Sequence, residues 1–575
     1  MSPLSLQTAE FAIVYETPVK RSSIVVFYSF SLAILLWLVL YPNSYILVQS
    51  FIDAGQVSLA HYREFFGSPS EMEALWNSLW ISAWSVVLSG LIGVPLALLL
   101  HRFDFPGRKI VAALASLPVL LPPLVGVISF LFLYGESGIL SRSVQHWLGR
   151  REPLFSFRGV GAILFVHAYT MYVYFYMFVS AGLRRLDFTL VEAARSLGAS
   201  RLRIFCVITL RQLTPALLGA ALLTFMTSMA SFSAPYIFGG GVRVLALQIY
   251  NSKLNGDLEI AMVETVILTL TSLAFLVLLQ RYEGTSKYRS TTKGAPQPLA
   301  LVAHPVKKLL AGTAGIAAVV FLLLPHLTLF LISFAKDGTW TMEILPPQYT
   351  FENYARLLSD PLFLEPVINS LHMATVATLA NLIFAFVTAY LIVRQKVRGR
   401  VLMNSLVLLP WALPGTVLAL SLATTFNQNN LWQARLLLVG TYWLLPLAYF
   451  IRNIPVVVRA VQASFEQFDT ALEEAARSLG GSWLYSMRRV VLPMVLPGAL
   501  AGSLLAFVTS LGEFVTSIVI YTIHNRPISI EILAQLRQFN FGSAAAYSVF
   551  LIVLIGSVFV LSEKYLSDIG SRAVS

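Results

Sequence analysis

Charged motifs are rare in this chain, yet one of them occurs twice. EAARSLG stands at 192–198 and again at 474–480. Each copy places a glutamate and an arginine, Glu192 with Arg195 and Glu474 with Arg477, around two small residues, Ala193 with Ala194 and Ala475 with Ala476. Residues three apart share a helix face. The closing glycine, Gly198 or Gly480, suits a left-handed helix C-cap. Polar residues inside apolar runs form the second group: Ser228, Ser231 and Ser233 in TFMTSMASFSAPYIFGGG, and Ser510 and Glu513 in AFVTSLGEFVTSIVIY. Ionisable or clustered polar groups within a membrane are costly and point to a transport path or gate. Helix–helix packing explains the serines equally well, because small polar residues are common at membrane helix interfaces. Other chemistries lack their residues. His101, His167, His326, His372 and His524 form no i, i+4 pair, so no dedicated metal site is expected. Cys206 is the single cysteine, which removes disulfides and cysteine-based metal centres. No spacing suggests a Ser–His–Asp triad, and no G-x-x-x-x-G-K-[ST] stretch cradles nucleotide phosphates.

The elements that carry these residues are membrane helices. Of the 575 residues, 57% are hydrophobic and only 12% charged, and the mean hydropathy is +0.74. A span needs about 20 apolar residues. Twelve segments qualify: 24–48, 75–100, 110–134, 160–183, 213–236, 258–280, 309–334, 369–393, 402–426, 433–456, 493–520 and 541–562. The first is read as an uncleaved helix, since no small-residue cleavage pattern follows it. Prolines 118, 122, 123, 410 and 414 are expected to kink the third span of each half. The net charge of +12 does not point to nucleic acid. With a cytosolic N-terminus, most Lys and Arg residues fall on the inner side, which is the positive-inside bias. The loop 135–159, with Arg142, Arg150, Arg151 and Arg158, runs against it.

The second half replays the first. LWNSLWISAWSVVLSGLIGVPLALLLHR at 75–102 aligns with VINSLHMATVATLANLIFAFVTAYLIVR at 367–394, an offset of 292 residues. At the EAARSLG pair the offset is 282, so the first half holds about ten extra residues, most simply in the 135–159 loop. Six spans return each half to its starting side, so the halves run parallel, related by an axis along the membrane normal. The expected division is a first half at 1–286 with a loop near 184–214, a linker at 287–308, and a second half at 309–575 with a loop near 459–492. Each loop, between fourth and fifth spans, reads as helix–turn–helix. Asp187 or Thr189, and Asp469 or Thr470, are candidate caps.

EAA followed by glycine, then a proline-marked start of the next helix, resembles the signature loop of permease subunits of binding-protein-dependent ABC importers. The fused layout is similar to the ferric-iron and thiamine branch. The resemblance covers most of both halves. It implies an all-α membrane protein of the type I ABC importer permease fold, about twelve helices in two parallel six-helix repeats. It also implies that Glu192, Ala193, Ala194, Arg195 and Gly198, and Glu474, Ala475, Ala476, Arg477 and Gly480, form coupling loops docking on an ATPase. The first copy departs from the pattern, with Arg211 where the second has Pro493, so unequal coupling is expected. The implied partners are two copies of a cytosolic ABC ATPase carrying ATP and Mg, an extracytoplasmic substrate-binding protein, and the bilayer of a bacterial inner membrane, with both termini cytosolic. The chain itself is expected to bind no cofactor and to be no enzyme. Ferric iron is the first cargo expectation; thiamine, polyamine, phosphonate and sugar phosphate are the alternatives. A twelve-helix ion-coupled secondary transporter would share the span count but leaves the paired loops unexplained.

Overall fold

The computed structural model describes residues 21–150, 152, 155–184, 186, 188–285, 304–340, 343–395, 397–427 and 437–574. Apart from a two-residue hairpin, Ile52–Asp53 against Gln56–Val57, the named elements are helices. Eleven helices are long and apolar enough to cross a membrane: Ile24–Gln49, Pro69–Arg102, Pro123–Leu148, Gly159–Arg184, Leu202–Met229, Leu258–Leu278, Pro305–Ile332, Pro361–Arg394, Leu444–Gln467, Trp483–Leu511 and Phe541–Leu561. A twelfth crossing is the pair Arg400–Ala412 and Gly415–Thr425, bent by 108°. They are numbered here as spans one to twelve, the bent pair being the ninth.

Several boundaries differ from the sequence expectation, and proline explains the largest differences. A proline has no N–H to donate and restricts the residue before it. At Pro122–Pro123 the chain does not kink but breaks: a short helix Arg108–Ala115 ends, Pro122 is extended, and a new helix starts at Pro123. The third span therefore lies at Pro123–Leu148 rather than 110–134, and part of the expected 135–159 loop is helix Ile139–Leu148. Pro414 breaks the ninth span in the same way. The tenth begins at Leu444, after the left-handed Gly440, and runs to Gln467, where 433–456 was expected. The eleventh ends at Leu511, which puts Glu513 beyond the long helix rather than inside it. Of the expected linker, 287–303 lies outside the described residues, and Pro305 already opens the seventh span.

The halves interlock through their first spans. Leu35, Leu38 and Val39 of span one join the core of the second half. Ala311, Val319 and Leu322 of span seven join the core of the first. Within each half, the second, fourth and fifth spans pack together. Spans two and four approach so closely at Gly93 that a Cβ there would collide with the Tyr172 carbonyl. The Asn-Ser pairs at the head of span two and its repeat do identical work. Asn77 Nδ2 donates to the Arg243 carbonyl at 3.0 Å and Ser78 Oγ accepts from the Leu245 amide at 2.8 Å. Asn369 Nδ2 donates to the Arg526 carbonyl at 3.3 Å and Ser370 Oγ accepts from the Ile528 amide at 2.7 Å. These bonds fix the start of a short helix, Leu245–Asn255 or Ile528–Arg537, beside the end of the fifth or eleventh span.

Candidate functional site: paired loops and the seam between the halves

The two EAARSLG segments fold alike. Helix Phe188–Ser196 is followed by Gly198 at φ +78°, and helix Thr470–Ser478 by Gly480 at φ +88°. The last carbonyls are taken up in the same pattern: Gly198 N to Arg195 O and Ala199 N to Ala194 O, both 2.9 Å, against Gly480 N to Arg477 O at 2.9 Å and Gly481 N to Ala476 O at 3.0 Å. Asp469 caps the second helix, its Oδ1 accepting from the Ala471 amide at 2.9 Å; Asp187 lies outside the described residues. The turns are tighter than the 184–214 and 459–492 segments expected, because span ten runs on to Gln467 and spans five and eleven begin at Leu202 and Trp483. Glu192, Ala193, Arg195, Gly198, Glu474, Ala475 and Gly480 are exposed, while Ala194, Ala476 and Arg477 are half-buried. The sequence reading passed over the leucine before each glycine. Leu197 and Leu479 are 88% and 89% exposed, two matched apolar knobs held out into solvent. The signal was present in the shared SLG.

The loops differ at their roots. Glu473 Oε2 accepts from Arg394 Nη2 at 2.8 Å, with both side chains largely buried, and the Arg394 guanidinium lies 4.9 Å over the Phe468 ring. At the place of Glu473 the first half has the buried Val191.

On the opposite face, the chain leaves the fifth and eleventh spans through short helices, Ser233–Phe238 and Val515–Ile520. The candidate path residues sit at these junctions. Ser228 and Ser231 converge on His167: Nδ1 meets Ser85 Oγ at 2.9 Å and Ser228 Oγ at 3.2 Å, and Nε2 meets Ser231 Oγ at 2.8 Å. Ser233 is buried nearby in sequence, with no hydrogen-bond partner for its hydroxyl among the described residues. In the second half Ser510 Oγ accepts from Asn453 Nδ2 at 3.0 Å. Glu513 pairs with Arg452 Nε at 2.8 Å and its Oε1 accepts from the Thr516 amide at 2.9 Å. His167 shows no i, i+4 pair in the sequence because its partners come from other elements of the fold. Arg452 and Asn453 carried a readable signal, being strongly polar residues within an expected span.

These serines and Glu513 do not meet across the molecule. What meets is a pair of aromatic side chains at the 282-residue offset, Phe232 and Phe514, with ring centroids 5.9 Å apart and both nearly fully buried. Pro122 of the first half seals the same seam, since a Cβ on Gly512 would stand 2.9 Å from its Cβ. Among the described residues no group of three or more His, Cys, Asp or Glu side chains could hold a metal ion.

The model of the binding-protein-dependent transport system inner membrane component matches residues 89–283 and again 381–566, one match per half. The chain belongs to that family. A probable ABC transporter permease of Sinorhizobium fredii is 29% identical over 85% of this chain and 87% of its own length. A ferric transport system permease of Actinobacillus pleuropneumoniae is 26% identical over 93% of this chain and 77% of its own. A sulfate transport system permease of Salmonella typhimurium is 34% identical over 37% of this chain and 79% of its own. The protein is thus a fused two-half ABC importer permease of the multi-pass membrane class, and the secondary-transporter reading falls away. In this permease family the subunits are not themselves ATPases.

Proposed function

We propose that this permease passes ferric iron from an external binding protein to the cytosol, by alternating access between its halves, driven by two copies of a separate ATPase carrying ATP and Mg. The observation that supports the coupling role is the matched geometry of the two EAARSLG loops, each thrusting an exposed leucine, Leu197 or Leu479, beside a glutamate and an arginine. Such a knob fits a groove on a partner: the leucine supplies apolar area and the rim charges set orientation. In this reading Glu192, Ala193, Ala194, Arg195 and Gly198, with Glu474, Ala475, Ala476, Arg477 and Gly480, form two docking loops on the cytosolic face, and both termini lie on that face. Ser228, Ser231, Ser233, Ser510 and Glu513 stand around the closure that Phe232 and Phe514 make on the other face.

Ferric iron is favoured by extent. The ferric relative aligns through both halves, whereas the sulfate relative aligns with little more than a third of the chain. Thiamine, polyamine, phosphonate and sugar phosphate remain alternatives.

Two experiments test this. A mild-detergent pull-down from the native membrane should recover an ATPase and a binding protein that retains iron. Replacing Glu192 and Glu474 together by alanine should abolish ATP-driven uptake while membrane insertion is unchanged; undiminished uptake in that double variant removes the coupling role.

A further inference from the structure

The seam on the face opposite the EAARSLG loops is crossed by two cations, one from each half. Lys253 closes the helix Leu245–Asn255, and Arg537 closes its counterpart Ile528–Arg537. Each reaches the short helix of the other half. Lys253 Nζ donates to the Val519 carbonyl, near the end of Val515–Ile520. The Arg537 guanidinium lies 5.5 Å over the ring of Tyr236, on Ser233–Phe238. The arrangement is reciprocal, and it brackets the Phe232–Phe514 contact, since Tyr236 also stacks on Phe232 at 5.3 Å.

Neither cation has a carboxylate partner among the described residues, in contrast to three arginines in connections on this face. Arg158 pairs with Glu136, Arg243 with Glu73 and Arg526 with Glu531. Asp257 and Glu259 follow Lys253 in the chain but form no ion pair with it. Position at a helix C-terminus favours a cation, yet burial works against Lys253 and holds its ammonium below the usual lysine range. With the seam shut, the half-buried Lys253 is held by a carbonyl and the exposed Arg537 by a ring. When the seam parts, both lose those contacts together.

We propose that Lys253 and Arg537 form a reciprocal latch across the outer seam, and that on opening they receive a cargo whose surface is anionic. The inference rests on the importer reading above and deepens it. Two unpaired positive charges at the mouth attract anionic oxygens and repel a bare metal cation or a polyamine. The shared chemistry is a negatively charged oxygen surface, supplied either by ferric iron inside a chelate of net negative charge or by a free oxyanion. Anion binding replaces the partners that opening removes, so cargo arrival and latch release become one event.

The test uses proteoliposomes holding the permease with the ATPase and binding protein recovered from its membrane. The probes are radiolabelled ferric citrate, sulfate and spermidine. The intact protein should take up ferric citrate or sulfate with ATP and leave spermidine outside; which anion enters names the source. Lys253→Gln with Arg537→Gln should lower the initial rate by about tenfold or more. Lys253→Arg with Arg537→Lys keeps both charges and should restore most of it. ATP-driven spermidine uptake overturns the proposal. So does anion uptake at full rate in the glutamine variant, a charge-preserving variant as inactive as the glutamine one, or uptake of neither anion when the binding protein stimulates ATP hydrolysis. If the intact complex shows no such stimulation, the importer reading has failed instead.

Discussion

Buried acids are treated differently in the two halves. Glu531 is almost fully buried, pairs with Arg526 Nε at 2.9 Å and accepts from Gln535 Nε2 at 2.6 Å. In the first half, Glu264 and Glu71 are both buried and within hydrogen-bond reach of each other. Ser252 Oγ donates to Glu264 Oε1 at 2.8 Å and Gln248 Nε2 to Glu71 Oε1 at 2.9 Å. The Oε2 atom of each acid has no hydrogen-bond donor, as is also true of Glu531, but among the described residues neither has a cation beside it as Glu531 has. Glu264→Gln removes a buried carboxyl and supplies an N–H toward Glu71. It should stabilise the protein by about 1–2 kcal/mol, seen as a higher unfolding temperature in detergent. Arg526→Ala strands Glu531 and should cost about 2–3 kcal/mol, the low side for a broken buried pair because Arg526 is a third exposed. A lower unfolding temperature for Glu264→Gln would show that its second oxygen has a partner after all. Sequence gave no access to this contrast, because Glu71 and Glu264 are far apart in the chain and meet only through packing.

At the scale of elements, the helices were legible and their breaks were not. Apolar runs of about 20 residues announce membrane helices because an unpaired backbone group in hydrocarbon is too costly to leave. Where a helix stops depends on other things. Pro122 and Pro414 suggest kinks, yet at each a new helix starts after an extended proline, and at Pro414 the two pieces are bent by 108°. Span ten outran its apolar window through Arg459 to Gln467, since polar residues continue a helix once they leave the bilayer. Pro493 against Arg211 leads one to expect unequal coupling; the asymmetry observed at the roots of the loops is the Arg394–Glu473 tie, which the first half lacks, with Val191 at the place of Glu473. That tie joins the second loop directly to the end of span eight. Glu473→Gln should lower ATP-driven uptake several-fold at normal membrane levels, through a looser joint. Uptake equal to that of the unchanged protein would show that the loop moves with its span without the ion pair.

At the scale of the whole molecule, the halves are swapped at their first spans and shut on one face by Phe232, Phe514, Pro122 and Gly512. The fifth and eleventh spans each pack on the second and fourth spans of their own half, or the repeat of these, so the closure is confined to their far ends. Replacing Phe232 and Phe514 together by alanine removes the plug. Each truncation forfeits about 3–5 kcal/mol of packing, and the double variant should release a small entrapped dye from liposomes without ATP. Vesicles that stay tight would place the gate elsewhere.

The sequence by itself determined the membrane class, the count of crossings, the parallel duplication and the two EAARSLG motifs. Each of these is written in local composition or in self-similarity at a fixed offset, and hydrocarbon allows few alternatives to a helix. Tertiary structure alone decided which polar residues share a site. Ser228 and Ser231 hydrogen-bond His167, and Glu513 pairs with Arg452. The physical reason is that partner choice in a helical membrane protein depends on the rotation and depth of neighbouring helices. Those are set by close packing at places such as Gly93 against Tyr172, and no periodicity along one helix encodes them.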